Sequence, residues 1–222
     1  MKFFTADFLD FFRELEANNN REWFEANKKR FKKNVETPFV DFIGRMIDRF
    51  QEVRPAFMLA PKDAVFRIYR DIRFSADKTP YKTHMSALVA PGGRKGMHNE
   101  GAYIEISAQH ARLYGGMYMP DTNQLRNLRE NIAANPDTFD KLLKDKKFEK
   151  YFDGKIHGEQ NKRLPAELAE AAQKQPLLFN KSFYFFHTLP AEEILKDDLD
   201  QKIMDAYLAG RPMGEFLANA SQ

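Results

Sequence analysis

The sequence contains no cysteine, a single tryptophan and no long apolar run. Without cysteine there is no disulfide framework, no thiolate metal site and no cysteine nucleophile. No apolar stretch approaches the roughly 20 residues needed to span a bilayer, so no membrane partner is expected. Asp7, Asp10 and Arg13 interrupt any hydrophobic leader near the start, which makes a cytoplasmic protein the simplest expectation. Internal repeats and a Gly/Ser/Pro linker are also lacking, so the 222 residues are expected to form one α+β domain over 1–222. A large excess of one charge is missing too: 35 Lys and Arg oppose 32 Asp and Glu. A broad basic surface for nucleic acid is therefore disfavoured.

The small surplus is local. Eight basic residues (Lys62, Arg67, Arg70, Arg73, Lys78, Lys82, Arg94 and Lys95) and three acids (Asp63, Asp71 and Asp77) give residues 62–95 a charge of +5, and the rest of the chain −2. Phenylalanine is abundant at 21 residues, and such rings normally fill cores because each buries a large apolar area.

Hydrophobic spacing supplies the elements. Thr5 can cap a first helix carrying Phe8, Phe12 and Leu15, stapled by Phe4 and stopped by Asn18-Asn19-Asn20. A second helix is expected from Arg21 to Val35, with Asn27 on its apolar side. Thr37 is expected to cap a third, with Pro38 at its first position and an apolar stripe from Phe39 to Val53. The period then falls to two. Ala64 to Phe74 reads as a strand with Phe66, Ile68, Ile72 and Phe74 on one face, and Arg67, Tyr69, Asp71 and Arg73 on the other. Arg70 breaks the pattern by lying on the apolar face. Further strands are expected at Thr83–Ala90, Ala102–Ala108, Arg112–Met119 and within Leu177–Thr188, with a turn at Pro91-Gly92-Gly93. Gly115-Gly116 marks a bulge or a close approach. Asp121 and Pro136 open helices, 153–163 is loop, Pro165 starts a short helix and Pro190 a long one, and another short helix follows Arg211. Consecutive strands between helical segments indicate an antiparallel sheet packed by N-terminal and C-terminal helices.

Candidate chemistry concentrates in residues 67–84. On a strand face, Arg67, Asp71 and Arg73 would stand in order, successive positions of that face (i and i+2) lying about 6.5–7 Å apart. Asp71 could then hold both guanidinium groups with outer N–H groups free for phosphate or carboxylate oxygens. Lys78 and Lys82 add point charges, Tyr81 a hydroxyl and His84 a titratable imidazole. The expected ligand is a small phosphate-containing anion. Were there a reaction, the cations would stabilise negative charge, with Asp71 or His84 as acid/base candidates. In the alternative, the same residues form only a structural network. Arg70 favours that for itself, because a guanidinium on an apolar face needs a partner, with Asp77, Asn27 and Glu22 as candidates.

Residues 18–24 read first as a helix junction with a staple; alternatively Arg21, Trp23 and Asn27 could line the mouth of the site, and Trp23 with Tyr81 could stack on a base in a nucleic-acid reading. Metal binding has little support: none of the five histidines pairs at i, i+4, and His98-Asn-Glu100 reads as surface loop. No cofactor is expected. The oligomeric state leaves no mark in the sequence.

The segment Arg70-Asp-Ile-Arg-Phe-Ser-Ala-Asp-Lys-Thr-Pro-Tyr-Lys82 resembles the signature of a bacterial and fungal family, domain of unknown function 2461. So do Phe11-Phe-Arg-Glu-Leu-Glu-Ala-Asn-Asn-Asn-Arg-Glu-Trp-Phe24 and the following Asn27-Lys-Lys. Gly115-Gly116-Met-Tyr-Met-Pro120, Leu125-Arg-Asn-Leu-Arg-Glu-Asn-Ile132 and Asn180-Lys-Ser-Phe183 also fit, so the resemblance spans essentially the whole chain. It implies one α+β domain and brings no reaction with it. Where family members often carry Pro-Lys-Gly before the final strand, this chain has Leu164-Pro-Ala-Glu-Leu168.

Overall fold

The computed structural model describes residues 1–55, 57–95 and 101–221; His98-Asn-Glu100 lies outside them. The chain runs α1 (Ala6–Ala17), α2 (Arg21–Phe31), a π-helical turn (Lys32–Glu36), α3 (Thr37–Val53), α4 (Pro61–Ala64), β1 (His84–Val89), β2 (Ala102–Ser107) and β3 (His110–Met117). It continues with α5 (Thr122–Ala134), α6 (Pro136–Leu143), α7 (Lys146–Phe152), α8 (Ala169–Lys174), β4 (Phe183–Pro190), α9 (Ala191–Ile194) and α10 (Leu199–Ala220). The strands form a four-stranded antiparallel sheet in the order β1-β2-β3-β4. This is the expected α+β class.

The residues fall into two compact units. The first takes its described residues from Met1–Gly96, Ala102–Leu113 and Thr188–Met204, the second from Met97–Gly101, Tyr114–His187 and Asp205–Gln222.

In the first unit, α3 buries Phe39, Phe42, Ile43, Met46, Ile47 and Phe50, the positions that the 3.6-residue period selects. Each such side chain contributes roughly 1.5–3 kcal/mol of burial. β1 presents Met85, Ala87 and Val89 to the core, with α3 packed beside it. Across the hairpin, β2 buries Ala102, Ile104 and Ile106.

Three expectations are corrected here. Thr37 does not cap a separate helix: Glu36 and Thr37 both have α-helical dihedrals, and the chain stays helical from Arg21 to Val53. Pro38 has no N–H for the Asn34 carbonyl, and its ring would crowd that carbonyl in α geometry. The wider π turn immediately before it accommodates the conflict without ending the helix.

Ala64–Phe74 is not a strand. Only isolated bridges form, Val65 with Ala87 and Tyr69 with Tyr81. Arg70 N–H donates to the Pro80 carbonyl at 3.0 Å and Lys82 N–H to Ile68 at 2.8 Å. The return bond of the Arg70–Pro80 pair would need an N–H that proline lacks, so pairing stops there. Phe74 consequently leaves the expected apolar face and is 96% exposed.

The C-terminal part differs as well. Pro190 precedes only the short α9, whereas α10 runs unbroken through Pro212 to Ala220 instead of restarting after Arg211.

In the second unit, Asp121 accepts from the N–H groups of Asn123 and Gln124, and Gln124 accepts in return from the Asp121 N–H, forming a capping box at α5. Gly116 has φ +88°, and a Cβ there would stand 2.3 Å from the Phe183 carbonyl oxygen. The glycine pair therefore marks the close approach anticipated from sequence, with β4 as the approaching strand. Gly210 likewise brings α10 against Phe185 of β4.

Candidate functional site

The Asn18-Asn19-Asn20 junction joins the two elements that border the candidate site. Asn20 caps α2 by accepting the Trp23 N–H. Asn19 grips the backbone of Tyr81 from both sides: its Nδ2 donates to the Tyr81 carbonyl at 2.9 Å, and its Oδ1 accepts the Tyr81 N–H at 3.1 Å. The Tyr81 ring stacks on Phe24 at 4.0 Å between centroids and 19° between planes. The start of α2 and the 69–81 loop are thereby fixed together. Between them lies a pocket of about 310 Å³, lined by Arg21 and Glu25 of α2 and by Tyr69, Arg70, Ile72, Pro80 and Tyr81 of the loop.

The expected site residues separate into three groups. Arg70 is the centre of a loop network. Its Nη1 donates to the Asp77 carboxylate, to the Thr79 hydroxyl and, at 3.2 Å, to the Thr79 carbonyl. Asp77 accepts the Thr79 N–H at 2.9 Å. That backbone hydrogen bond and then the Arg70 guanidinium hold the Asp77 carboxyl down at about 2. Of the three partners considered for Arg70, Asp77 is the one found. Asn27 instead donates to the Trp23 carbonyl.

Arg73 and Asp71 form an exposed pair beyond that network, with Arg73 Nε at 3.0 Å and Nη2 at 2.7 Å from the carboxylate. Arg73 first, through these bonds, and Arg67 only through its charge hold the Asp71 carboxyl at about 2. Asp71 thus grips one arginine, not two. Lys78 turns back to the Ile72 carbonyl at 2.9 Å. Trp23 packs on Phe11 at 5.4 Å and does not line the pocket.

Lys82 and His84 belong to a third group, on the sheet face opposite the α3 side of β1. The Lys82 ammonium stands 5.3 Å from the centroid of the Phe66 ring. Burial and then the Arg67 charge push its pKa down. His84 Nε2 lies 3.6 Å from one oxygen of Glu105, whose other oxygen is 3.1 Å from His110 Nε2. Burial outweighs the Glu105 charge and pushes the His84 imidazole below its ordinary value, favouring the neutral ring. Among the described residues, no group of three potential ligands could hold a metal ion. No helix among them is long and apolar enough to cross a membrane.

Sequence reasoning missed Glu25, Tyr69, Glu105 and His110. Glu25 follows Arg21 by four residues, so helical spacing puts both on one face. Tyr69 was readable as outward-facing, but its pocket exists only because the loop folds back through Tyr81. Glu105 and His110 join His84 only once β1, β2 and β3 are in register.

Residues 7–216 match the profile of a family described as conserved hypothetical protein, DUF2461. No curated protein matches the chain.

Proposed function

The chain belongs to that family of conserved hypothetical proteins, and from this premise we propose that it binds a small phosphate-containing anion in the pocket between α2 and the 69–81 loop. Arg21 carries the reading. It is exposed, lines the pocket and has no hydrogen-bond or ion-pair partner among the described residues, so its guanidinium keeps all its donors for a ligand. It is also the first residue of an 11-residue helix, whose N-terminal partial charge favours an anion.

The neighbouring groups fit the same ligand. Glu25, the pocket's acid, is paired with Lys28 at 3.0 Å, which offsets its repulsion. Burial pushes the Tyr81 phenol up, keeping it a protonated donor. The volume is at the small end of the roughly 300–1,000 Å³ usual for ligand pockets, which suits one phosphate on a compact molecule. Neither acid/base candidate, Asp71 or His84, lines the pocket, so the reading is binding and assigns no reaction. A second reading, in which the Arg/Asp residues only stabilise the fold, is favoured at Arg70 by its Asp77 and Thr79 bonds.

Thermal unfolding with inorganic phosphate, nucleoside monophosphates and sugar phosphates tests the proposal. A ligand at ~100 times its Kd adds about 2.7 kcal/mol. Arg21→Ala is expected to diminish that response and leave the unliganded midpoint unchanged. Absence of a response to every compound would overturn the reading; an undiminished response in Arg21→Ala would put the binding site elsewhere.

A further inference from the structure

The second unit contains a buried charge without a counter-charge. Arg129 of α5 is 6% exposed. Its Nη2 donates to the Asn180 carbonyl at 2.9 Å and reaches the Phe179 carbonyl at 3.5 Å. These are the last carbonyls of the 3-10 turn Pro176–Phe179 and its C-cap, so they supply dipoles but no charge. The Nε–H is buried and has no acceptor. Nη1 makes no hydrogen bond among the described residues. Burial is the influence that lowers the Arg129 pKa, with no carboxylate opposing it. Arginine nevertheless stays protonated in proteins, so the charge persists.

Three other shielded arginines among the described residues hold acids. Arg30, 24% exposed at the side chain, holds Asp7 and Glu14; Arg49, at 17%, holds Asp200; Arg70, at 26%, holds Asp77. Arg129 is more deeply buried than these three and holds none. Two of the segments that carry the family resemblance meet at it, Leu125–Ile132 and Asn180–Phe183. An uncompensated buried charge is costly, and a planar guanidinium with spare N–H groups is the natural partner of a two-oxygen anion.

We propose that Arg129 is the seat of a small oxyanion, the carboxylate or phosphate group of a small molecule, which completes the charge that the carbonyls of Phe179 and Asn180 leave uncompensated. The site is independent of the Arg21 pocket. Inorganic phosphate, acetate and chloride are to be titrated at constant ionic strength while the Arg129 Nε–Hε NMR signal, protected from exchange by burial, is followed.

A saturable shift with phosphate or acetate is expected and persists in Arg21→Ala, whose remaining thermal response to the anion is abolished by adding Arg129→Gln. A response to phosphate alone assigns a phosphate group, and one to acetate a carboxylate. An unmoved Nε–Hε signal, or an equal response to chloride, would overturn the proposal. Should Arg129→Gln fail to fold, the signal in the unaltered protein still decides.

Discussion

Arg70 and Arg129 are both shielded guanidinium groups, and they are satisfied in opposite ways. Arg70 finds Asp77 seven residues on and Thr79 nine residues on, so the loop folds around its own counter-charge. Arg129 reaches 51 positions along the chain and finds only carbonyl oxygens. A local acid turns an arginine into scaffold and reduces what it can offer a ligand. An arginine without an acid keeps its charge, and the fold bears the cost. In the proposed binding role, the weight accordingly moves from the most shielded arginine of the +5 segment onto Arg21, a residue outside that segment.

A third case sets the scale for this comparison. Asp200 is 7% exposed at the side chain and accepts from Arg49 at 2.7 Å and Arg45 at 3.3 Å. Burial by itself would push its carboxyl up; the Arg49 hydrogen bond and charge, helped by Arg45, win and hold it below its ordinary value. Asp200→Ala leaves Arg49 shielded with its Gln201 hydrogen bond but no counter-charge, so a loss of about 3–5 kcal/mol is expected in urea denaturation. A loss under about 1 kcal/mol would mean that this fold tolerates unpaired guanidinium groups cheaply. The contrast drawn for Arg129 would then lose its force.

The next effect is smaller and concerns Asp77. Asp77→Asn removes the charge facing Arg70 while keeping an acceptor for the Thr79 N–H. Arg70 should lose its fixed place in the pocket wall. Phosphate affinity is expected to fall roughly two- to tenfold, the value of one hydrogen bond, and proteolysis within 71–79 to quicken. A rise in affinity would show that Asp77 competes with the ligand for Arg70, reversing the scaffold reading.

These two arginines also mark what was legible in the sequence. The stripes of α1 and α3, the Asp121 cap and the strands β1 to β4 follow from periodicity and turn chemistry, because each is decided by neighbours within a few residues. The Arg70–Asp77 pair belongs to that class. The Ala64–Phe74 strand failed because alternation records facing and not pairing, and Pro80, ten residues beyond Arg70, lacks the N–H that pairing required. Thr37-Pro38 looked like a helix start, since nothing in the sequence marks a π turn that lets a helix pass through proline. Arg129 stands with Leu125, Leu128 and Ile132 at helical spacing, so its place in the stripe is readable; its lack of an acid appears only when Asn180 is brought to it. Glu105 and His110 were hidden likewise by sheet register.

Acid should separate the two regions more gently than mutation. Asp71 and Asp77 have carboxyls lowered from 3.8 to about 2. For a depressed carboxyl, the stabilisation is fully present above the unfolded value and is lost as pH falls through the folded one. Order in the 70–79 loop is therefore expected to weaken between about pH 4 and pH 2. The Arg129 Nε–Hε signal has no paired carboxylate to titrate and should not follow the same curve. Amide exchange across the loop, compared with that NMR signal, checks this; coincident transitions would mean that both report global acid unfolding.

The smallest expected effect is the most discriminating for the basic segment. Arg73 and Asp71 are 76% and 51% exposed at the side chain. Such a pair sits in high dielectric, is screened by salt and spends side-chain entropy to hold its geometry. Arg73→Ala should therefore leave the urea midpoint unchanged. Since Arg73 does not line the pocket, phosphate affinity should also stay as it is, in contrast to Arg21→Ala. Marked destabilisation would revive the network reading for the exposed arginines as well as for Arg70. Loss of phosphate binding with the fold intact would instead return the anion to the Arg67–Asp71–Arg73 stretch, where the alternating pattern first suggested it.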